Sequence, residues 1–270
     1  MLINYRKGHV PIKAMEGEVK EKTSKHTDAQ LNYFDMHTHI LPDIDDGSKS
    51  EEESLKMIDL AYREGIRYIC ATPHYNVEKA SARTRCTKVY NHLRRRMKQR
   101  YPDMELYLGN EILYSYDIIE HLKKGLISTY NGSRYALIEF YPSEKYKYIY
   151  EAVQAVRRSG YVPVLAHIER VKCLWKDWQK LDELKDCVAV FQMNTGSLTG
   201  SFMESHVRYC RKLVQENYID ILGSDMHGSV HRPPVYEQAA AWIRQQCGED
   251  VLRRLAFENP IRILKNQQIN

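Results

Sequence analysis

The 270-residue sequence contains no apolar run near the ~18 residues that a membrane-spanning helix requires. Its start, MLINYRKGHVPIKAMEGEVK, lacks the apolar core of a secretory signal. Both absences predict a cytoplasmic chain with no direct membrane insertion. Paired cysteines are missing too. Cys70, Cys86, Cys173, Cys187, Cys210 and Cys247 are scattered, with no Cys-x-x-Cys among them, so reduced and mostly buried thiols are expected and thiolate-held zinc is not. No Gly-x-Gly-x-x-Gly follows the first expected strand, which argues against a dinucleotide-binding fold. A strong excess of one charge is also lacking. A net charge of +5 argues only weakly for anionic partners and does not indicate nucleic acid, and Arg94-Arg95-Arg96 reads as the solvated face of a helix. Phenylalanine is scarce while tyrosine is abundant, and the local run Tyr141, Tyr146, Tyr148 and Tyr150 reads as the packing side of an amphipathic helix.

What is present describes a soluble globular protein. The hydrophobic fraction is 43% and the charged fraction 28%, and the length suffices for a substantial core. Residues 1–32 are rich in Lys, Glu and Thr without a sustained period, and read as a polar, disorder-prone extension. From residue 33 to residue 270, short β-rich runs alternate with helical patterns, the signature of a parallel α/β domain. The expected strands are 33–37, 66–71, 104–108, 135–138, 162–166, 188–193 and 219–223. A helix is expected from about Ser50, with Ser48 to Glu51 as a capping box and Gly65 as its stop. Seven strand–helix units suit a closed or nearly closed (β/α)7, TIM-like barrel.

In such barrels, active sites form at the C-terminal ends of the strands. The stretch DMHTHILPDIDDGS supplies His37 and His39 on one strand end, then Asp46 in the following loop. Side chains at i and i+2 of a strand share a face, so the two imidazoles point to one place. The next strand ends supply His74, Glu111, Glu139, His167, and finally Asp225 with His227; the sixth ends in Asn194. Each residue alone has a structural explanation as a cap, a loop residue or an ion-pair partner. Together, nine imidazole and carboxylate ligands at one end of a barrel point to two or three metal ions. Nitrogen and oxygen ligation without thiolate suits Mn, Fe or Zn. A calcium-binding loop is excluded, because aligning Gly47 with its glycine puts Pro42 and Ile44 at ligand positions. The remaining histidines considered, His9, His26, His92, His121 and His206, fall in the extension or on helices.

In order, DMHTHILPDIDDGS, ATPH, GNEI, ALIEF, LAHIER, MNTGSL and GSDMHG resemble the motifs of the polymerase and histidinol phosphatase superfamily. More closely, they resemble its bacterial metal-dependent tyrosine-protein phosphatase branch, found in capsule and exopolysaccharide operons. The resemblance runs from about Phe34 to the C-terminus; Asp43 departs from it, where glycine is expected. It implies a distorted seven-stranded barrel and a trinuclear centre, manganese first among the candidate metals. His37, His39, Glu111 and Asp225 would hold one ion, and Glu111 would bridge to a second held by Glu139 and His167. Asp46, His74 and His227 would hold the third. Arg170 and Arg232 correspond to phosphate-binding arginines, whose guanidinium forks match phosphate geometry. His167 and His227 are candidate proton donors, limited by their ligand role. The implied substrate is a phosphotyrosine protein, the tyrosine-rich tail of a capsule-regulating bacterial tyrosine kinase, and relatives self-associate.

Ions so placed would acidify a bridging water and offset phosphoryl charge. Alternatives on the same scaffold are a histidinol-phosphate or other small phosphomonoester phosphatase, a nuclease, and a metal-binding module without activity. Cys247 to Arg253 matches the Cys-x5-Arg spacing of cysteine-dependent phosphatases, but no glycine-rich cradle after a strand accompanies it.

Overall fold

The computed structural model describes residues 32–75 and 83–269. All but the last residue of the expected extension, His9 and His26 included, lie outside the described residues. Nine strands are present among the described residues: β1 (Tyr33–Thr38), β2 (Ile66–Ala71), β3 (His74–Tyr75), β4 (Glu105–Leu108), β5 (Glu111–Leu113), β6 (Tyr135–Glu139), β7 (Val162–Leu165), β8 (Val190–Asn194) and β9 (Ile221–Gly223). All pair in parallel. β3-β5-β6-β7-β8-β9 form a curled six-stranded half-barrel, and β1-β2-β4 form a three-stranded sheet. A parallel bridge between Thr38 and Met226 carries β1 to the end of β9, where Asp225 N donates to His37 O at 2.8 Å and His39 N to Met226 O at 3.0 Å.

Seven of these strands, β1, β2, β4, β6, β7, β8 and β9, fall on the seven expected runs. The additional strands, β3 and β5, follow two of the expected runs after breaks at Thr72-Pro73 and at Gly109-Asn110. Pro73 has no N–H for the ladder. The Asn110 amide donates to Pro73 O at 2.9 Å and pins the two breaks together.

The helices are amphipathic and cover the strands. α1 (Glu51–Arg63), α2 (Arg83–Arg100), α3 (Ile118–Lys123), α4 (Tyr146–Arg158), α5 (Trp178–Asp186), α6 (Ser205–Gln215), α7 (Glu237–Cys247), α8 (Glu249–Arg253) and α9 (Asn259–Leu264) follow in order. In α4 the buried Ile149, Ala152, Val153 and Val156 recur at i, i+3, i+4 and i+7, a single apolar stripe. Tyr146, Tyr148 and Tyr150 pack partly buried against the core, as expected, whereas Tyr141 precedes the helix and is exposed. The cap of α1 is Ser50, whose side chain accepts from Glu53 N, with Glu51 to Glu53 at the positive end of the helix dipole. The expected box at Ser48 is therefore displaced by two residues, and Ser48 instead bonds Ser54. Gly65, at φ 81°, ends the helix as expected.

Two apolar clusters result. One lies between strands and helices. The other, with Phe34, Met36, Leu137, Val164, Val190 and Ile221, is enclosed by the strands and closed by Ile261, Ile263 and Leu264 of α9. Polar residues of the candidate site lie beyond it at the C-terminal ends of the strands.

Candidate metal centre

Phe34 and Met36 point into the enclosed cluster, so the opposite parity of His37 and His39 would turn them away in an unbroken strand. The β1–β2 register shifts between Asp35 and Thr38. An irregularity of that kind re-aims the side chains after it. Both imidazoles therefore reach the barrel mouth, with their Nε2 atoms 3.2 Å apart. Two glycines make room. A Cβ at Gly223 would fall 2.4 Å from His37 Cβ, and one at Gly47 would fall 2.1 Å from His39 O.

Each ring is held from behind. Gln192 Oε1 lies 3.0 Å from His37 Nδ1 and accepts from His167 N at 2.8 Å, while its amide nitrogen donates to Asn194 Oδ1 at 3.0 Å. Asp45, 4% exposed at its side chain, lies 2.7 Å from His39 Nδ1. The same carboxylate accepts from the His74 and Gly47 amides, both at 3.0 Å. These oxygens only accept, so both Nδ1 atoms carry the proton. In the neutral rings the two Nε2 lone pairs then face each other. They also face Glu111 Oε2, at 3.3 Å and 3.1 Å, and Asp225 Oδ1, at 3.6 Å and 3.5 Å. Four lone-pair donors converging in a buried space repel one another unless a cation lies between them. The donor set fits a metal ion.

Glu111, 1% exposed, links the rest. Its Oε1 is 2.8 Å from His167 Nε2 and its Oε2 is 3.1 Å from His74 Nδ1. Glu139 lies 3.6 Å from each of these histidines. Asp46 Oδ1 is 3.4 Å from His74 Nε2 and 3.6 Å from His227 Nε2. Three groups are close enough to share an ion: His37, His39 and Glu111; His74, Glu111 and Glu139; and His39, Asp46, His74 and His227. All nine residues expected from the sequence converge here. The grouping differs from the expected partition, since His39 belongs to two groups and His74 to two.

The charges are coupled. A proton can take the place of that cation: burial opposes protonation of His37, but Glu111 and Asp225 outweigh it and hold the imidazole up at about 9. His39 is raised well above its ordinary value because Asp45 and Glu111 outweigh burial. Asp225, despite burial, is brought down to about 2 by His37 and His39. Burial, then the charge of His39, drives His227 down to about 4, and burial beside Glu111 raises Glu139.

Asp225 divides its oxygens between two tasks. Oδ1 faces the histidines, while Oδ2 accepts from Asn194 Nδ2 at 2.8 Å, Arg232 at 2.5 Å and Arg170 at 3.0 Å. Both arginines keep about two-fifths of their side-chain surface exposed beside the buried centre, 41% for Arg170 and 45% for Arg232. His167, Asp225 and Arg232 have φ of 31°, 55° and 55°, left-handed values uncommon outside glycine. Asp43, where glycine was expected, has φ 54°, which accounts for that expectation; its side chain is exposed and pairs with Arg85, outside the ligand cluster.

Asp45 and Gln192 were not among the expected site residues. The signal for Gln192 was present: it stands two residues before Asn194 on β8 and so shares its face. Asp45 was hidden by its neighbour, since adjacent aspartates in a loop give no sign of which one reaches a metal. Among the other histidines, His92 pairs with Glu51 on the surface, His121 Nδ1 meets Tyr75 Oη at 2.7 Å, and His206 is helical.

The sequence model of the capsular polysaccharide synthesis family CpsB/CapC matches residues 33–265. The tyrosine-protein phosphatase CpsB of Streptococcus agalactiae is 33% identical over 244 residues, 87% of this chain and 100% of that protein. The tyrosine-protein phosphatase YwqE of Bacillus subtilis is 31% identical over 241 residues, 87% of this chain and 93% of that protein. A chain from the crystal structures of YwqE from Bacillus subtilis and CpsB from Streptococcus pneumoniae, unique metal-dependent tyrosine phosphatases, superposes with a TM-score of 0.78 at 30% identity, covering 88% of this chain and 96% of that one.

Proposed function

Since the chain belongs to the CpsB/CapC family of capsular polysaccharide synthesis, we propose that it is a metal-dependent protein-tyrosine phosphatase, with residues 33–270 as its catalytic domain. The observation that carries this is the convergence of Nε2 lone pairs and carboxylate oxygens at the barrel mouth, beside two arginines. The two sheets act as one distorted seven-stranded barrel, in which β2 with β3 and β4 with β5 are each one interrupted strand. His37, His39, Asp46, His74, Glu111, Glu139, His167, Asp225 and His227 would hold two to three divalent ions, manganese before iron or zinc. Ions held there supply an acidified water and positive charge against the phosphoryl oxygens.

The chain's own residues do the rest. Arg170 and Arg232 bind the phosphoryl oxygens, exchanging part of their hold on Asp225 for the substrate. Gln192 and Asp45 fix the rings of His37 and His39, so no reorganisation is needed when charge develops. The protein substrate proposed is the tyrosine-rich tail of a capsule-regulating kinase, met in the cytoplasm. Turnover of a phosphotyrosyl peptide should exceed that of histidinol phosphate and stop on chelation. Preference for histidinol phosphate would move the chain to the small-molecule alternative.

Arg232 gives a second test. Arg232→Ala should leave metal content unchanged and lower kcat/KM about ten- to a hundredfold, the worth of a charge-assisted bond of ~1.5–3 kcal/mol. A grip equal in ground and transition states raises KM alone, and one that tightens lowers kcat as well. Arg232→Lys should recover only part, because an ammonium cannot offer two parallel donors. Wild-type kcat/KM in the alanine variant would return Arg232 to an ordinary ion pair with Asp225.

A further inference from the structure

Among the described residues, seven large apolar side chains are conspicuously exposed, and six share one end of the molecule. Tyr116 follows β5, Tyr141 follows β6, Trp175 follows β7, Phe202 and Met203 follow β8, and Val230 follows β9. Only Val188, just before β8, lies at the other end. Scattered surface apolar residues would divide between the two ends, whereas these stand in the loops that surround the metal-ligand cluster. Exposed apolar surface beside a polar site marks a place where another molecule is covered. Phe202, Met203 and Val230 are 67%, 70% and 78% exposed, too open to be serving the core.

The Phe202 loop is also held in shape. Arg208 donates to Phe202 O at 3.0 Å and to Met203 O at 2.5 Å, and Ser201 N donates to Glu204 at 3.1 Å. A loop fixed in advance loses little freedom on binding. Trp175 is stacked on Tyr209 with ring centroids 5.4 Å apart and meets His206 at 5.6 Å, so its exposed part is held in place. In the loops after β7 and β9 the exposed charges are positive and favour an anion, while Glu204 adjoins Met203 and Asp117 adjoins Tyr116. Arg170, Lys172, Lys176 and Arg232 are exposed in the loops after β7 and β9, while the nearby Asp177 is taken up in capping α5 and pairing with Lys180.

We propose that the barrel mouth is a docking surface for an extended protein segment in which apolar or aromatic residues flank the phosphotyrosine. The loops after β7, β8 and β9 then set which phosphotyrosine is chosen, and the metal centre below them is indifferent to the flanks. This rests on the phosphatase function proposed above. The phosphate gives the segment its negative charge, and the apolar flanks cover Phe202, Met203 and Val230.

The test uses the full chain loaded with Mn, two phosphotyrosyl peptides and p-nitrophenyl phosphate. One peptide carries Phe and Leu on both sides of the phosphotyrosine, and the other carries Ser and Gly. The wild-type chain should favour the apolar peptide by roughly tenfold in kcat/KM, the size expected from burying about two such side chains only partly. Phe202→Ser with Met203→Ser should erase that preference through KM, leaving p-nitrophenyl phosphate turnover unchanged. Equal turnover of both peptides by the wild type overturns the proposal, and so does an equal loss on p-nitrophenyl phosphate in the double variant. A fall in sedimentation mass in that variant also overturns it, because the patch would then be covered by a second copy. If phosphotyrosine and p-nitrophenyl phosphate are not hydrolysed at all, the underlying phosphatase function is what has failed, and the docking proposal falls with it.

Discussion

Glu111→Gln should lower kcat/KM by more than about a hundredfold and reduce the metal bound per chain. Changing a residue that merely orients a metal ligand typically costs ~10–100-fold, and Glu111 faces the ligands directly. Its two oxygens address four imidazoles: His37, His39 and His74 from one side and His167 from the other. Burial alone would raise its pKa, but His37 and His167 outweigh burial and hold the carboxyl ionised well below the ordinary range. Glutamine has the same shape and no charge, and its amide nitrogen would present hydrogens where lone pairs are needed. The loss is therefore one of charge and donor chemistry, not of packing. Cys247→Ser is the matched control. Cys247 ends α7, burial pushes its thiol up, and the Arg253 it would need lies on α8 beyond Gly248 rather than over a phosphate-binding loop. That variant should keep its activity. If the serine variant is dead while Glu111→Gln is active with full metal, the centre described above is not the one that works.

Gly223→Ala should both destabilise the fold and empty the centre. The added methyl would lie 2.4 Å from His37 Cβ and 2.9 Å from His37 N, so neither a rotamer change nor a flexible side chain can relieve it. Backbone conformation is not at issue, because Gly223 is an ordinary strand residue without positive φ. Overpacking of this kind costs ~1–3 kcal/mol, and relief requires β1 and β9 to move apart where they close the barrel. Urea midpoint and metal content should fall together. At Gly196, by contrast, nothing lies within 4 Å of an added Cβ, and Gly196→Ala should stay within about 0.5 kcal/mol of wild type. A Gly223→Ala protein with a wild-type midpoint and full metal would show that β1 and β9 are not locked as described.

The convergent residues were legible because all but Asp46, which lies in the loop after β1, sit where a strand pattern stops, and a parallel barrel gathers such positions at one end. The strand–helix alternation was legible for the same reason. The short β3 and β5 were not, because each lies beyond a break, at Thr72-Pro73 or Gly109-Asn110, where the apolar run has already ended. Nor was the change of parity in β1. His37 and His39 were recognisable as neighbours on a face, but which face depends on a register shift against β2 that no local pattern records. Asp45 escaped because it acts through a hydrogen bond to a ring nitrogen from a loop, whereas Gln192 could have been found from its place two residues before Asn194 on β8.

The closure of the barrel sets an order of events during synthesis. His37 and His39 come from the first described strand, and Asp225 and His227 from just beyond the ninth, with β1 and β9 joined through Thr38 and Met226. The enclosed apolar cluster is sealed by Ile261, Ile263 and Leu264, and Tyr135 Oη donates to Gln267 O behind them. A nascent chain emerges from its N-terminal end and can fold only what has emerged. Until β9 and α9 leave the ribosome, β1 has no partner on one edge, the barrel floor is open to water, and the histidines have no opposing carboxylate from Asp225. Contacts of such long sequence separation also form slowly. The half-made protein is therefore an open sheet with a loose pair of imidazoles, its strand edge free to pair with a neighbour, and the ligand cluster comes together only once β9 has been made.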